Sequence, residues 1–421
     1  MTVIDPVERV IAQDTSRVLP QHFMVPRLQL SQRLALLLRV MILTGYPLVG
    51  ILVAYFGLQS STLTVPFRIV VLALSVLVIL TALQKRHRER IPALLVVFFL
   101  IYTLRLCYDL VFVNAAGAGT ALVYFLALVF IPVTASMLAG TAALQDTIFA
   151  RWLLIMALAT TALTLISNKL GLGYNPWDYA GEESVRLGFK ALNPISLGNI
   201  AGICIISSTY LLLGTHQGRA IRFAAWLGLP MAAMVLLLAN SRGPVIAVAF
   251  ALLWFMARKS RRIIYALPFA LILFLLVPLD NILILNVADR FSGPFMEDAA
   301  IAGRLLAQGE ALQAFFKYPF FGAHYIDPNL GPGNYPHNLL IETAMALGMV
   351  GLTLFLAMLW MAIAKSVSYV DVKHPFIVML MAQQFIMAQL SGALWASDSF
   401  FLLLSLTLAA KRLPANANKL Q

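Results

Sequence analysis

"IRFAAWLGLPMAAMVLLLANSRGPVIAVAFALLWFMARKSRR", residues 221–262, decides the fold, because it is too long for one membrane helix and basic at both ends. As a single helix its apolar part, 221–257, would run about 55 Å at about 1.5 Å per residue. The hydrocarbon core of a bilayer is only about 30 Å thick. Arg219 and Arg222 stand at the front of the run, and Arg258, Lys259, Arg261 and Arg262 close it. Lysine and arginine accumulate on the cytoplasmic side of membrane proteins, so both ends belong there and the chain must turn back between them. "NSRGP" (240–244) supplies the turn, with Gly243 for backbone freedom and Pro244 to open the next helix. The stretch is a hairpin of two spans with Arg242 at its outer tip.

The same reading extends to the rest of the chain. Hydrophobic residues make up 61% of the 421 residues and charged residues 11%, and the mean hydropathy is +0.87. A soluble domain carries about 25% charged residues, so most of this chain belongs in lipid. The net charge of +12 does not mark a nucleic-acid partner, because the basic residues sit in short clusters between apolar runs. Cys107 and Cys204 both lie inside apolar runs, which leaves no disulfide framework or zinc site. A helix needs about 20 apolar residues to span. Runs that qualify or nearly do are 35–57, 63–83, 91–113, 119–140, 148–167, 195–214, 221–240, 243–257, 262–279, 336–364, 375–392 and 394–411. The expected fold is an all-α integral membrane protein of about twelve transmembrane helices.

With the N-terminus inside, the connections that carry "QKRHRER" (84–90), Arg151, "HQGRAIR" (216–222), "RKSRR" (258–262), Lys365 with Lys373, and "KR" (411–412) all fall on the cytoplasmic side. Arg68 and Arg105 remain within spans. Residues 1–33 lack the apolar core of a signal peptide and read as a cytoplasmic segment. Residues 34–412 form the polytopic domain and 413–421 a cytoplasmic tail. Two polar segments, 168–194 and 280–335, fall outside as periplasmic loops, the second containing a helical stretch before the tenth span.

This topology gathers four separated residues at the outer face. Arg242 departs from the positive-inside rule, and a charge at the membrane edge points to function. Arg304 opens "RLLAQGEALQAFF" (304–316), whose spacing is helical and sets Gln308 on the same face as Arg304. Arg186 lies in "SVRLGFKALNP" (184–194), where Gly188 and the Asn-Pro pair imply a defined turn. His337 follows Pro336, which the spacing places in a first helical turn, so a helix N-terminus and nearby arginines keep the imidazole neutral. Alone, His337 reads as an interface histidine and Arg304 as a solvated helix position. Together, arginine forks suit the oxygens of a pyrophosphate, and a neutral histidine accepts a proton. "WDYAGEES" (177–184) reads as a solvated acidic loop rather than a metal site, so the chemistry needs no metal.

These motifs resemble the O-antigen ligase family, within the larger group that includes O-antigen polymerases and bacterial protein O-oligosaccharyltransferases. "VRLGFKALNP" (185–194), "NSRGP" (240–244), "GRLLAQGEALQAFFKYPFFG" (303–322) and "PHNLLIETAMALGMVG" (336–351) occur in the family's order. The resemblance implies a glycosyltransferase of the GT-C class in the inner membrane of a Gram-negative bacterium, with its active site facing the periplasm. It implies transfer of O-antigen from undecaprenyl pyrophosphate to lipid A–core, inverting, without a metal or other cofactor. His337 would be the base; Arg186, Arg242 and Arg304 would hold the pyrophosphate; Gln308 and Asn338 would support them. The expected partners are the lipid-linked glycan, lipid A–core and membrane lipids, not nucleic acid. The modest length and the absence of a domain after the last span suit a ligase better than a protein glycosyltransferase, with a polymerase still open. A transporter of lipid-linked sugars is the reading from another class, and its only intramembrane hint is Arg105 with Asp109.

Overall fold

The computed structural model describes residues 29–84, 92–140, 146–173, 186–189, 191–214, 217–259, 299–326, 335–369 and 375–409. Among them the chain is helical, and extended pairing is confined to an isolated bridge between Phe189 and Leu192. In chain order the helices are α1 (Leu30–Tyr55), α2 (Ser60–Leu83), α3 (Ala93–Val111), α4 (Ala118–Leu138), α5 (Asp146–Lys169) and α6 (Pro194–Leu213). There follow α7 (Arg219–Leu238), α8 (Arg242–Lys259), α9 (Ala299–Lys317), α10 (Leu339–Tyr369), α11 (Pro375–Ser391) and α12 (Asp398–Ala409). Eight are long and apolar enough to cross a membrane, and three shorter apolar helices join them: α11, α12 and the 242–256 part of α8. This is an integral membrane protein. The predicted span at 262–279 lies outside the described residues, as do the acidic run 177–184 and, within the segment 280–335, residues 280–298 and 327–334.

The hairpin forms as expected. Helix α7 ends at Leu238, Asn240 takes a left-handed φ of 43°, and α8 begins at Arg242. Contacts between helices separate into two ends of the bundle. At one end Arg39 of α1 donates to Ser136 Oγ (2.8 Å) and to the Gly140 carbonyl (2.9 Å) after α4. At the same end the Asp146 carboxylate accepts the Phe376 N–H (2.9 Å), Arg151 donates to Gln217 (2.8 Å), and Lys365 donates to the Leu408 carbonyl. The hairpin turn, the start of α10 and the end of α11 lie at the other end.

Lipid is as apolar as leucine, so close packing and buried polar bonds hold such a bundle together. Phe98 and Phe99 of α3, Phe125 of α4, Phe355 of α10 and Phe401 of α12 are fully buried and pack edge-on or tilted. Ring centres lie 5.4 Å apart for Phe99–Phe125, 5.2 Å for Phe99–Phe401 and 5.6 Å for Phe98–Phe355. Each such pair contributes about 0.5–1.5 kcal/mol beyond its area. Small residues let backbones approach elsewhere. A Cβ on Gly198 of α6 would stand 2.6 Å from Pro244, so α6 supports the hairpin turn directly. Beside it Asn199 accepts from Gln383 (3.0 Å) and Gln384 (2.8 Å) of α11.

Arg105 and Asp109 form an ion pair at 2.8 Å near the end of α3. The pair is structural. Asp109 also accepts the Tyr325 N–H (2.7 Å) and Arg105 donates to the Ala323 carbonyl, which pins the loop after α9 to α3.

That loop docks into a break in α10. Gly348 has φ 62° and ψ −158°, so the helix is interrupted there. The freed backbone groups are met by the loop. Met349 N–H donates to the Pro319 carbonyl (2.7 Å), Val350 N–H to Phe320 (3.4 Å), and Ala323 N–H donates to the Met345 carbonyl (2.7 Å). Gly322 (φ 78°) and Gly348 face each other so closely that a Cβ on either would stand 2.4 Å from the opposing backbone. A Gly348→Ala substitution meets both the left-handed backbone penalty, roughly 1–2 kcal/mol, and that clash. It is expected to lower the Tm of the purified protein, whereas Gly309→Ala, where nothing lies within 4 Å, leaves it unchanged or higher. Equal thermal stability of Gly348→Ala and the parent would contradict the docking.

Candidate active site

Each candidate side chain is placed by a short irregular segment. Leu187 N–H donates to the Leu238 carbonyl at the end of α7 (2.9 Å), and Phe189 and Leu192 bridge each other. Asn193 then caps α6 by accepting the Ser196 N–H (2.8 Å). The 186–193 segment is thereby held against the hairpin, and Arg186 Nε donates to the Asn240 carbonyl (3.3 Å). Two residues on, Arg242 opens α8. A cation at a helix N-terminus opposes the helix dipole, and the two together make a place for an anion.

Helix α9 packs on α10 through Ala307 and Ala311, which are buried, while Leu305, Leu306 and Phe316 point outward. The inward face carries Arg304 and Gln308. Arg304 Nη1 donates to the Leu390 carbonyl in the last turn of α11 (3.2 Å), and Gln308 Nε2 donates to the Pro336 carbonyl (3.2 Å). Leu390 is the meeting point, because a Cβ on Gly243 of the hairpin would lie 3.7 Å from its side chain. Gly243, next to Arg242, packs on this residue from the hairpin, and Arg304 bonds its carbonyl from α9.

His337 is held from several directions. Its φ of 56° is left-handed, a conformation that non-glycine residues adopt only where the surroundings impose it. Tyr335 packs against the imidazole with ring centres 4.1 Å apart. Nδ1 is buried and has no hydrogen-bond partner among the described residues. Burial, followed by the positive charge of Arg304, pushes the His337 pKa down to about 4. The Tyr335 phenol is pushed up to about 12, first by burial and then by the Glu342 carboxylate.

Two expectations are corrected in detail. Pro336 does not start the helix: Asn338 is the cap, its side chain accepting the Ile341 N–H (3.1 Å), and α10 begins at Leu339. His337 therefore precedes the cap, and burial rather than the helix dipole dominates its low pKa. Gln308 of α9 bonds the Pro336 carbonyl and Asn338 caps α10, so their contacts flank His337 in the chain.

Glu342 was not singled out by the sequence reading. Both of its carboxylate oxygens accept the Leu394 N–H (3.0 and 3.1 Å), fixing the break between α11 and α12, and Gln389 accepts the Leu340 N–H (3.4 Å). Its signal was available, since it is the only acidic residue in the apolar run 336–364.

Residues 223–356 match the family model described as O-antigen ligase. Over this region the chain is similar to that family. The match spans the hairpin, α9, His337 and the break in α10, and it leaves Arg186 outside the matched residues. No curated protein matches the chain. Members of the O-antigen ligase family are glycosyltransferase-like enzymes, and the family in general handles lipid-linked polysaccharide and lipid A–core.

Titration tests this geometry directly. His337 is expected to stay neutral down to about pH 4, and Arg304→Gln, which removes a positive neighbour, is expected to raise its pKa. Histidine-selective NMR on labelled protein reads both values. A native His337 that titrates near the ordinary 6.5, or no rise in Arg304→Gln, would contradict the assignment.

Proposed function

We propose that the chain transfers an O-antigen glycan from undecaprenyl pyrophosphate to a sugar hydroxyl of lipid A–core, as an inverting glycosyltransferase. The observation that carries this reading is the buried, unpartnered Nδ1 of His337 beside Arg304, held neutral where a proton acceptor is needed. Nδ1 takes the acceptor hydroxyl proton. The acceptor oxygen forms its bond to the anomeric carbon from the face opposite the leaving group, and the bond from that carbon to the pyrophosphate oxygen breaks. Undecaprenyl pyrophosphate departs with the electron pair. The negative charge developing on it is met by Arg186, Arg242 and Arg304 together with the N-terminus of α8. A single displacement of this kind inverts the anomeric centre, and charge neutralisation falls to the arginines rather than to a metal.

The side of the membrane follows from charge. Arg39, Arg151, Arg219, Arg222 and Lys365 belong to the end opposite the site. The positive-inside rule makes that end cytoplasmic, so the site faces the outer side, which the family resemblance makes the periplasm of a Gram-negative inner membrane. The polar segments 168–194 and 280–335 then belong to the periplasmic side, and the terminal segments 1–33 and 413–421 to the cytoplasm.

Purified protein in liposomes with lipid-linked glycan and lipid A–core should form the ligated product, and should do so fully in chelator. His337→Ala should reduce the rate by about 10²–10⁴-fold, the usual worth of a general base. Product carrying only glycan extended by one repeat unit would show a polymerase instead, and near-native transfer by His337→Ala would remove the histidine from the chemistry.

A further inference from the structure

A second polar cluster lies outside this site. Arg68 of α2 donates from Nη1 to the Tyr124 hydroxyl of α4 (2.8 Å). Its guanidinium carbon lies 4.8 Å from the Tyr124 ring centre and 5.8 Å from that of Tyr46 in α1. Tyr124 stacks in turn on Trp395, with centres 5.8 Å apart and planes at 28°. All four residues are half-buried.

Irregular turns or a proline adjoin these positions. Tyr46 directly follows the π-helical turn Met41–Gly45, and Tyr124 directly precedes the π-helical turn Phe125–Phe130. Arg68 stands two residues after Pro66, which lies inside α2, and Trp395 sits on the 3₁₀ turn Leu394–Ala396. Single π-turns within α-helices concentrate at functional sites. Gly45 explains the approach of α1 to α2, since a Cβ there would stand 2.6 Å from the Phe67 ring. That contact brings the next residues, Tyr46 and Arg68, side by side.

Among the described residues no carboxylate pairs with this charge. Among the described residues Arg68 meets a phenol and two ring faces, and the ion pair found is Arg105–Asp109. Ionisable side chains at membrane depth pair with one another or face a cavity. Arg68 lies about 12 Å along α2 from Ser60, and Tyr124 about 9 Å along α4 from Ala118. Tyr124 thus fixes the guanidinium from the neighbouring helix. A planar fork with free donors and flanking aromatic faces suits a phosphate on an amphiphile. The cluster also connects to the site described above. Trp395 is five residues from Leu390, whose carbonyl takes Arg304, so the two lie within about 18 Å along the chain. Glu342 holds the peptide between them.

We propose that Arg68, Tyr46, Tyr124 and Trp395 bind the phosphate of a lipid headgroup. Resting on the transferase reading above, that lipid is the phosphorylated glycolipid acceptor, seated beside the donor pyrophosphate. Binding is measured without donor, by native mass spectrometry on full-length protein in phosphatidylcholine nanodiscs, so that it does not depend on transfer. The probes are phosphorylated lipid A–core, the same glycolipid after phosphatase treatment, and phosphatidylglycerol. Arg68→Gln should weaken the phosphorylated glycolipid about tenfold, the worth of a charge-assisted contact, and leave the dephosphorylated one unchanged. Tyr124→Phe, which removes one hydroxyl and preserves the ring, should weaken it less, and Arg68→Lys should fall between. Weakening of phosphatidylglycerol alone would overturn the acceptor assignment and make ordinary phospholipid the occupant. Unchanged binding of every probe in both Arg68→Gln and Tyr124→Phe would overturn the site. Loss of glycan transfer with Arg68-dependent glycolipid binding intact would sink the transferase reading and not this one.

Discussion

The architecture of the site depends on two glycines pressed backbone to backbone. Gly322 and Gly348 both take left-handed conformations, and neither has room for a Cβ. Their contact lets the loop after α9 supply hydrogen-bond partners to the broken turn of α10, where each buried backbone group left unpaired would cost about 1–3 kcal/mol. Irregular backbone survives near membrane depth only where protein satisfies it in this way. The consequence for the site is positional. The contact ties α9 to α10, which places Gln308 on the Pro336 carbonyl and Arg304 near His337.

The electrostatics follow from that placement. Arg304 reinforces what burial already does to His337, keeping the imidazole neutral. Arg242 sits where the dipole of α8 is least favourable to a cation, a cost of about 0.3–1 kcal/mol without a bound anion. A left-handed His337 adds strain of about 1–3 kcal/mol. An anion among the arginines, as proposed above, would relieve the electrostatic part.

Much of the fold was legible in the sequence because a bilayer imposes a length on apolar runs. The hairpin turn at Asn240–Pro244 could be read from charge at its two ends, and Arg304 with Gln308 from helical spacing. The break at Gly348 could not be read. Its neighbours are as apolar as any span, and what permits the break is the loop at Pro319–Ala323, distant in sequence. The packing face of α9 was equally hidden, since Ala307 and Ala311 turn inward and the larger Leu305 and Phe316 turn out. In lipid, hydrophobicity does not distinguish inside from outside; size and polar bonds do. Pro336 does not fall in the first helical turn because His337 takes a left-handed φ of 56°, so the helix starts only after Asn338, whose side chain caps it.

The central claim is that the hairpin bearing Arg242 and the α9–α10 unit bearing Arg304 and His337 meet at Leu390. A cysteine pair at Gly243 and Leu390, in a chain with Cys107 and Cys204 replaced, tests it in native membranes. A Cβ at 243 would lie 3.7 Å from the Leu390 side chain, within the Cβ separation of about 3.5–4.5 Å that a disulfide requires. The account predicts rapid cross-linking under mild oxidation. Failure of that pair to cross-link, with both cysteines shown to be reactive to a thiol reagent, would contradict it.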